Sequence, residues 1–149
     1  MNKIDVKVKK LNEYAKTPLY ATDGSAAADL YAALEQPVVI EPGDRKLIPT
    51  GISIDPGRDD VVSILCARSG LASKKGIALA NGIGVIDSDY RGEVKVAVIN
   101  HSNEAFTVEN GERIAQIMFM PVIRADFSEV DELNETARGT GGFGSTGTK

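Results

Sequence analysis

Short β-branched runs separated by turn-forming residues divide this chain so closely that little but an all-β architecture fits it. Six runs rich in valine and isoleucine, "KIDVKVKKL", "PVVIEPGD", "GISIDP", "DVVSILCA", "EVKVAVIN" and "RIAQIMFMPV", are bounded by Pro, Gly, Asn or Asp. In the first, Ile4, Val6 and Val8 alternate with charged residues, which is the period of a half-buried strand. In the third, Ile52 and Ile54 share one face before Pro56 stops the run. Many short strands joined by tight turns predict a sandwich or barrel. One segment has helical character, "SGLASKKG" from Ser69 to Gly76, with Ser near its start and Gly past its end; a loop is the alternative there.

The 149 residues are 42% hydrophobic, enough for one ordinary core. We expect a β-barrel domain over residues 1–127. Apolar density falls from Ser128, so residues 128–149 read as a C-terminal arm. No run approaches the roughly 20 apolar residues of a membrane span, and "MNKIDVKVKK" has no apolar signal region, so the expectation is a soluble, cytoplasmic protein without membrane partners. Cys66 lies within "VVSILCA" and reads as a buried reduced thiol. A single histidine, His101, sits in polar "NHSNE", which excludes a histidine-rich zinc centre and leaves oxygen-ligated cations such as magnesium. Net charge is -4 with both signs mixed along the chain, which argues against nucleic acid as a partner. Anionic ligands must be held by local groups.

The C-terminal "RGTGGFGSTG" contains G-x-G-x-x-G spacing, yet only Ser145 to Lys149 follow Gly144. A dinucleotide turn needs a helix after its glycines, and five residues cannot form one, so the match is false. The P-loop reading fails too, because Thr148-Lys149 reverses the required order. Either this is an ordinary disordered tail, or Arg138, the glycine amides, Ser145 and Thr146 are phosphate ligands and Phe143 a platform for a flat ring.

Four further stretches place polar groups inside the strand-rich region. "ARSGLAS" sets Arg68-Ser69-Gly70 after a strong strand, where exposed amides and an arginine bind an anion or merely cap a helix. "NGIGVIDSDYRGE" reads as a hairpin: Asn81-Gly82 turns the chain, Gly84 permits close approach, and Asp87 behind Val85 and Ile86 is expected to be partly buried. A buried carboxylate is either hydrogen-bonded into structure or kept for chemistry. "GERIAQIMF" puts Gln116 in a strand between Ala115 and Ile117, where its amide needs a partner. "SAAADLYA" carries Asp29, a residue type usual in caps and turns.

In this order, "SAAADLYA", "ARSGLASKKGI", "NGIGVIDSDYRGE", "GERIAQIMF" and "RGTGGFGSTG" resemble the five motifs of the trimeric deoxyuridine triphosphatases, over Ser25 to Gly147. Ala27, Ala67 and Glu112 depart from the family's usual Gly, Pro and Asp, but none is a chemical group of its mechanism. The resemblance implies a jelly-roll β-barrel, a homotrimer with active sites shared between subunits, and an arm that closes a neighbour's site. It implies hydrolysis of dUTP to dUMP and pyrophosphate with Mg2+ on the triphosphate, which keeps uracil out of DNA and supplies dUMP for dTMP synthesis.

By the same resemblance, Asp87 orients and deprotonates the water that attacks the α-phosphorus, and Gln116 helps position it. Asn81 and the backbone of Gly84, Val85, Ile86 and Asp87 read the uracil edge, while Tyr90 packs on the deoxyribose. Lys95 matches a position near the substrate, or is a solvated strand residue. Arg68, Ser69, Gly70, Arg138, Ser145 and Thr146 hold phosphates, Phe143 and Gly144 cover the base, and Asp29 meets the metal through water. The alternatives are a dCTP deaminase on the same scaffold, against which the glycine-rich tail argues, and a non-catalytic binder, which has no need of Asp87.

Overall fold

The structure, a computed structural model, describes residues 3–142. All six apolar runs become strands: β1 (Lys7–Lys10), β3 (Val38–Ile40), β5 (Ile52–Asp55), β6 (Val61–Cys66), β9 (Lys95–Asn100) and β11 (Arg113–Pro121). Five further strands join them: β2 (Ala28–Tyr31), β4 (Arg45–Pro49), β7 (Ile77–Leu79), β8 (Gly84–Ile86) and β10 (Phe106–Val108). The helix forms as expected, α1 (Ser69–Lys75), and Gly76 ends it at φ 67°, the left-handed conformation that glycine adopts without penalty.

Every strand pairing is antiparallel. The largest sheet has the order β2-β11-β6-β8 and a second has β4-β9-β7, while β1 pairs with β5 and β10 with β3. Neighbours in space are distant in sequence, the mark of a jelly-roll-like fold. Alternation decides what is buried: β6 reads buried, half-buried in strict turn from Val61 to Cys66, and Val96 and Val98 of β9 point inward. Leu30, Ile40, Ile48, Ile52, Val96, Val98, Val108 and Ile117 make the centre of one continuous core. Each such side chain contributes roughly 2 kcal/mol on burial.

Two expectations are corrected here. Cys66 is half-buried and not buried, because it takes the outward phase at the end of β6. "NGIGVIDSDYRGE" is not a hairpin of adjacent strands either. The turn at Asn81-Gly82 exists, with Gly82 at φ 73°, but β7 pairs with β9 while β8 crosses over to pair with β6 in the other sheet. Local alternation cannot reveal such a change of sheet. Gly84 is required at the crossing: a Cβ there would lie 2.9 Å from the Cβ of Leu65.

Candidate active site

Sequence reasoning assigned residues of five stretches to one kind of site, and within the single chain the fold places those of the four internal stretches in two different neighbourhoods. The first is a pocket of about 300 Å3 where β8 gives way to the polar turn, lined by Leu47, Val85, Ile86, Asp87, Tyr90, Glu93, Val94 and Lys95. It collects Val85, Ile86, Asp87, Tyr90 and Lys95 from the expected site. Lys95 therefore belongs to the pocket wall, with its ammonium 3.4 Å from a Glu93 carboxylate oxygen. The β7–β9 ladder continues past β7 through the Ala80 N–H bond to the Ala97 carbonyl, which sets the Asn81 turn alongside Val96 and Lys95.

Asp87 is exposed, contrary to expectation. Ile86 is the last residue of β8, and beyond it the chain leaves the sheet in a turn closed by the Tyr90 N–H on the Asp87 carbonyl. Tyr90 is fixed more firmly. Its hydroxyl donates to the Glu93 carbonyl at 3.1 Å, and its ring lies over Gly92. Leu47 of β4 faces the same pocket while keeping 60% of its surface exposed, so a hydrophobic wall stands there without a partner in the single chain.

The second neighbourhood is built around Asp29. This residue is neither a cap nor a turn: it lies within β2 and is only 3% exposed. Its burial is compensated by three donors. Arg68 Nε reaches Oδ1 at 3.2 Å, Gln116 Nε2 reaches the same oxygen at 3.3 Å, and Arg113 Nη1 reaches Oδ2 at 3.2 Å. The β2–β11 register makes this possible by setting Gln116 directly across from Asp29. Gln116 thus finds the partner that a polar residue between Ala115 and Ile117 requires. Arg68 also donates to the Arg113 carbonyl, and it leads into Ser69 and Gly70, both exposed on the first turn of α1. One carboxylate against two guanidiniums leaves a net positive charge beside the free amides of the helix start, a setting suited to an anion.

Sequence reading passed over Arg113. It stands at the start of β11, where an arginine looks merely solvated, and only the pairing of β11 with β2 turns it toward Asp29.

Register also measures how far apart the two neighbourhoods are. Ser63 pairs with Ile86 and Leu65 with Gly84, so extending the ladder sets Asp87 opposite Val62, while Arg68 lies at the other end of β6. Six residues of extended chain span about 20 Å. Within one chain, Asp87 and the Arg68 cluster do not share a site.

The last strand ends at Pro121. From Val122 to Gly142 there is no helix or strand among the described residues, and nearly all side chains are exposed, including Ile123 (96%), Phe127 (98%) and Leu133 (87%). Arg138 sits in a tight turn, with Nε donating to the Gly141 carbonyl at 2.8 Å. Phe143, Gly144, Ser145 and Thr146 lie outside the described residues. No helix among the described residues is long and apolar enough to cross a membrane.

A family model described as dUTPase matches residues 13–147. The chain belongs to the dUTPase family. The deoxyuridine 5'-triphosphate nucleotidohydrolase of Desulfitobacterium hafniense is 54% identical over 149 residues, 99% of both chains. That of Hahella chejuensis is 51% identical over 141 residues, 95% of this chain and 93% of its own. Among solved structures, the Staphylococcus bacteriophage 80alpha dUTPase with dUPNHPP superposes with a TM-score of 0.88 at 26% identity, covering 97% of this chain and 99% of that one. A mutant dUTPase from phage phi11 of S. aureus, described for its coordination of a structural Mg(II) ion, reaches 0.80 at 21% identity over 88% and 99%, a likeness of fold. Membership makes this chain a hydrolase of nucleotide metabolism that acts on dUTP.

Proposed function

We propose that the protein hydrolyses dUTP to dUMP and pyrophosphate at sites assembled from more than one copy of the chain, with Asp87 as the base. The observation that carries this reading is the separation just described. The lining of the pocket bearing Asp87 and Tyr90 has no cation beyond Lys95, whereas the carboxylate of the Arg68 cluster, Asp29, is buried and taken up by three hydrogen bonds. A second copy supplies to each what it lacks. The exposed Leu47, the uncovered Ile123 and Phe127 ahead of the arm, and Leu133 within it are the apolar surfaces such an assembly would bury. A homotrimer with shared sites is the arrangement we propose, with the arm of residues 128–149 closing a site of its neighbour.

In that site Asp87 accepts the proton of a water that it aims at the α-phosphorus. A carboxylate is a weak base, so charge stabilisation on the phosphates must carry much of the rate. Arg68, with the amides of Ser69 and Gly70, binds phosphate oxygens. Gln116 positions the water, and its bond to Asp29 sets the orientation of its amide. Asn81 and the backbone from Gly84 to Asp87 read the uracil edge. A site whose polar groups stay unpaired with cytosine discriminates by roughly 10^4 or more. Tyr90 packs on the deoxyribose. Arg138, Ser145 and Thr146 of the arm reach the phosphates, and Phe143 with Gly144 covers the base and excludes water.

The residues fit a magnesium ion that arrives with the triphosphate. Among the described residues no three His, Cys, Asp or Glu side chains gather into a cage, which agrees with the habit of Mg2+ of binding chiefly to substrate phosphates and water. Asp29 already takes three hydrogen bonds on its two oxygens, so its contact with such an ion would run through water. When bound, the ion neutralises phosphate charge.

The test is to incubate the protein with each deoxynucleoside triphosphate and Mg2+ and assay pyrophosphate and ammonia. Pyrophosphate from dUTP alone is expected. Ammonia from dCTP would indicate a deaminase, and no turnover would indicate a binding protein.

A further inference from the structure

Asp87 and Tyr90 stand on a turn that no sheet holds. Before it, β8 pairs with β6; after it, β9 pairs with β4 and β7, so the intervening backbone takes no position from a ladder. The far end is secured at Val94, whose N–H donates to the Ile52 carbonyl and whose side chain is in the core. The residues between Asp87 and Val94 need another anchor.

Arg91 supplies it. Its Nη1 donates to two carbonyls of the turn itself, Ser88 at 2.7 Å and Tyr90 at 3.2 Å, while Nη2 reaches Asp55 Oδ1 at 2.8 Å. Asp55 is the last residue of β5, and the same oxygen accepts the Gly57 N–H, so the acceptor is itself held in place. From β5 again, Ser53 Oγ donates to the Arg91 carbonyl at 2.7 Å. Side chain and main chain of one residue thus fasten the turn to one strand. Arg91 does not line the pocket, and its side chain lies outside everything so far assigned to the reaction.

We infer that Arg91, with Asp55 as its anchor, is a positioning residue that sets the conformation of the turn carrying Asp87 and Tyr90. The inference rests on the proposed roles of those two residues. As a charge pair, Arg91–Asp55 is half-exposed and stabilises little. Its value is geometric: a planar fork satisfies three acceptors at fixed angles, which a lysine ammonium on a flexible stem cannot reproduce. Misplacing a reacting group by about 1 Å can reduce a rate by up to 10^2.

The experiment measures kcat and KM for dUTP, together with the denaturant midpoint, in Arg91→Lys, Arg91→Ala, Asp55→Asn, the Asp55→Asn/Arg91→Lys double variant and Asp87→Asn. Arg91→Lys is expected to lower kcat about tenfold with a smaller change in KM and an unchanged midpoint. Asp55→Asn should act in the same direction, and the double variant should be no slower than Arg91→Ala, since the residues work as one unit. Wild-type kcat in both Arg91 variants, or a rate loss that only follows a falling midpoint, overturns the inference. If Asp87→Asn is inactive while the Arg91 variants are normal, only the anchor is wrong; if Asp87→Asn turns over normally, the underlying reading has failed.

Discussion

Gly92 lies directly beneath the phenol of Tyr90, so closely that a Cβ there would collide with the Tyr90 hydroxyl and ring. The backbone of Gly92 is not in the left-handed region, so an alanine is sterically allowed by its own φ. What cannot stay is the tyrosine. Gly92→Ala is expected to displace Tyr90, break its bond to the Glu93 carbonyl and raise KM for dUTP several-fold. Because the contact is at the surface, stability should stay within about 0.5 kcal/mol of wild type. Steady-state kinetics beside a thermal melt checks both halves.

Asp87→Asn keeps the shape of the turn and removes the base. Turnover should fall by roughly 10^2 to 10^4, the range that a positioned proton acceptor supplies. Binding of a non-hydrolysable dUTP analogue, followed by calorimetry, should be largely retained.

Asp29→Asn tests the buried cluster differently. It leaves Arg68 and Arg113 pointing at a neutral amide, with one donor set unpaired. Removing one partner of a buried ion pair destabilises by about 3 to 5 kcal/mol, and the half-exposed Arg113 places this case at the lower end. A urea midpoint measures the loss. Turnover should also drop, since Arg68 and Gln116 both lose their orientation.

Deleting residues 138–149 is expected to leave a folded barrel with a strongly reduced kcat/KM, because the arm packs on no part of the core in the described chain. A melted product would instead show that the arm is structural. Circular dichroism together with the pyrophosphate assay separates the two outcomes.

Replacing Ile123 and Phe127 by aspartate should weaken assembly, since both are almost fully exposed in the single chain and have no role in its core. Light scattering should find three chain masses for the wild type and a lighter species for the double variant.

The six Val- and Ile-rich runs were legible because a strand announces itself over a few residues, and the helix because Gly76 sits where its left-handed cap is needed. Strands β2, β4, β7 and β10 escaped notice because none lies in a run as rich in Val and Ile as those six, with Asp29 inside one and Arg45 and Lys46 opening another. The motif residues, and with them the family, were also readable, since a motif is an ordered set of residue types. Tertiary structure alone decided what those residues touch. Asp29 and Gln116 stand 87 positions apart and meet only through the β2–β11 register. Asp87 and Arg68, only 19 positions apart, are set at opposite ends of β6 by β8 crossing to another sheet. Local spacing determines which strands and turns a chain can make, because propensity acts over neighbouring residues. Which side chains converge depends on strand order and register, which are settled by burial of the whole core.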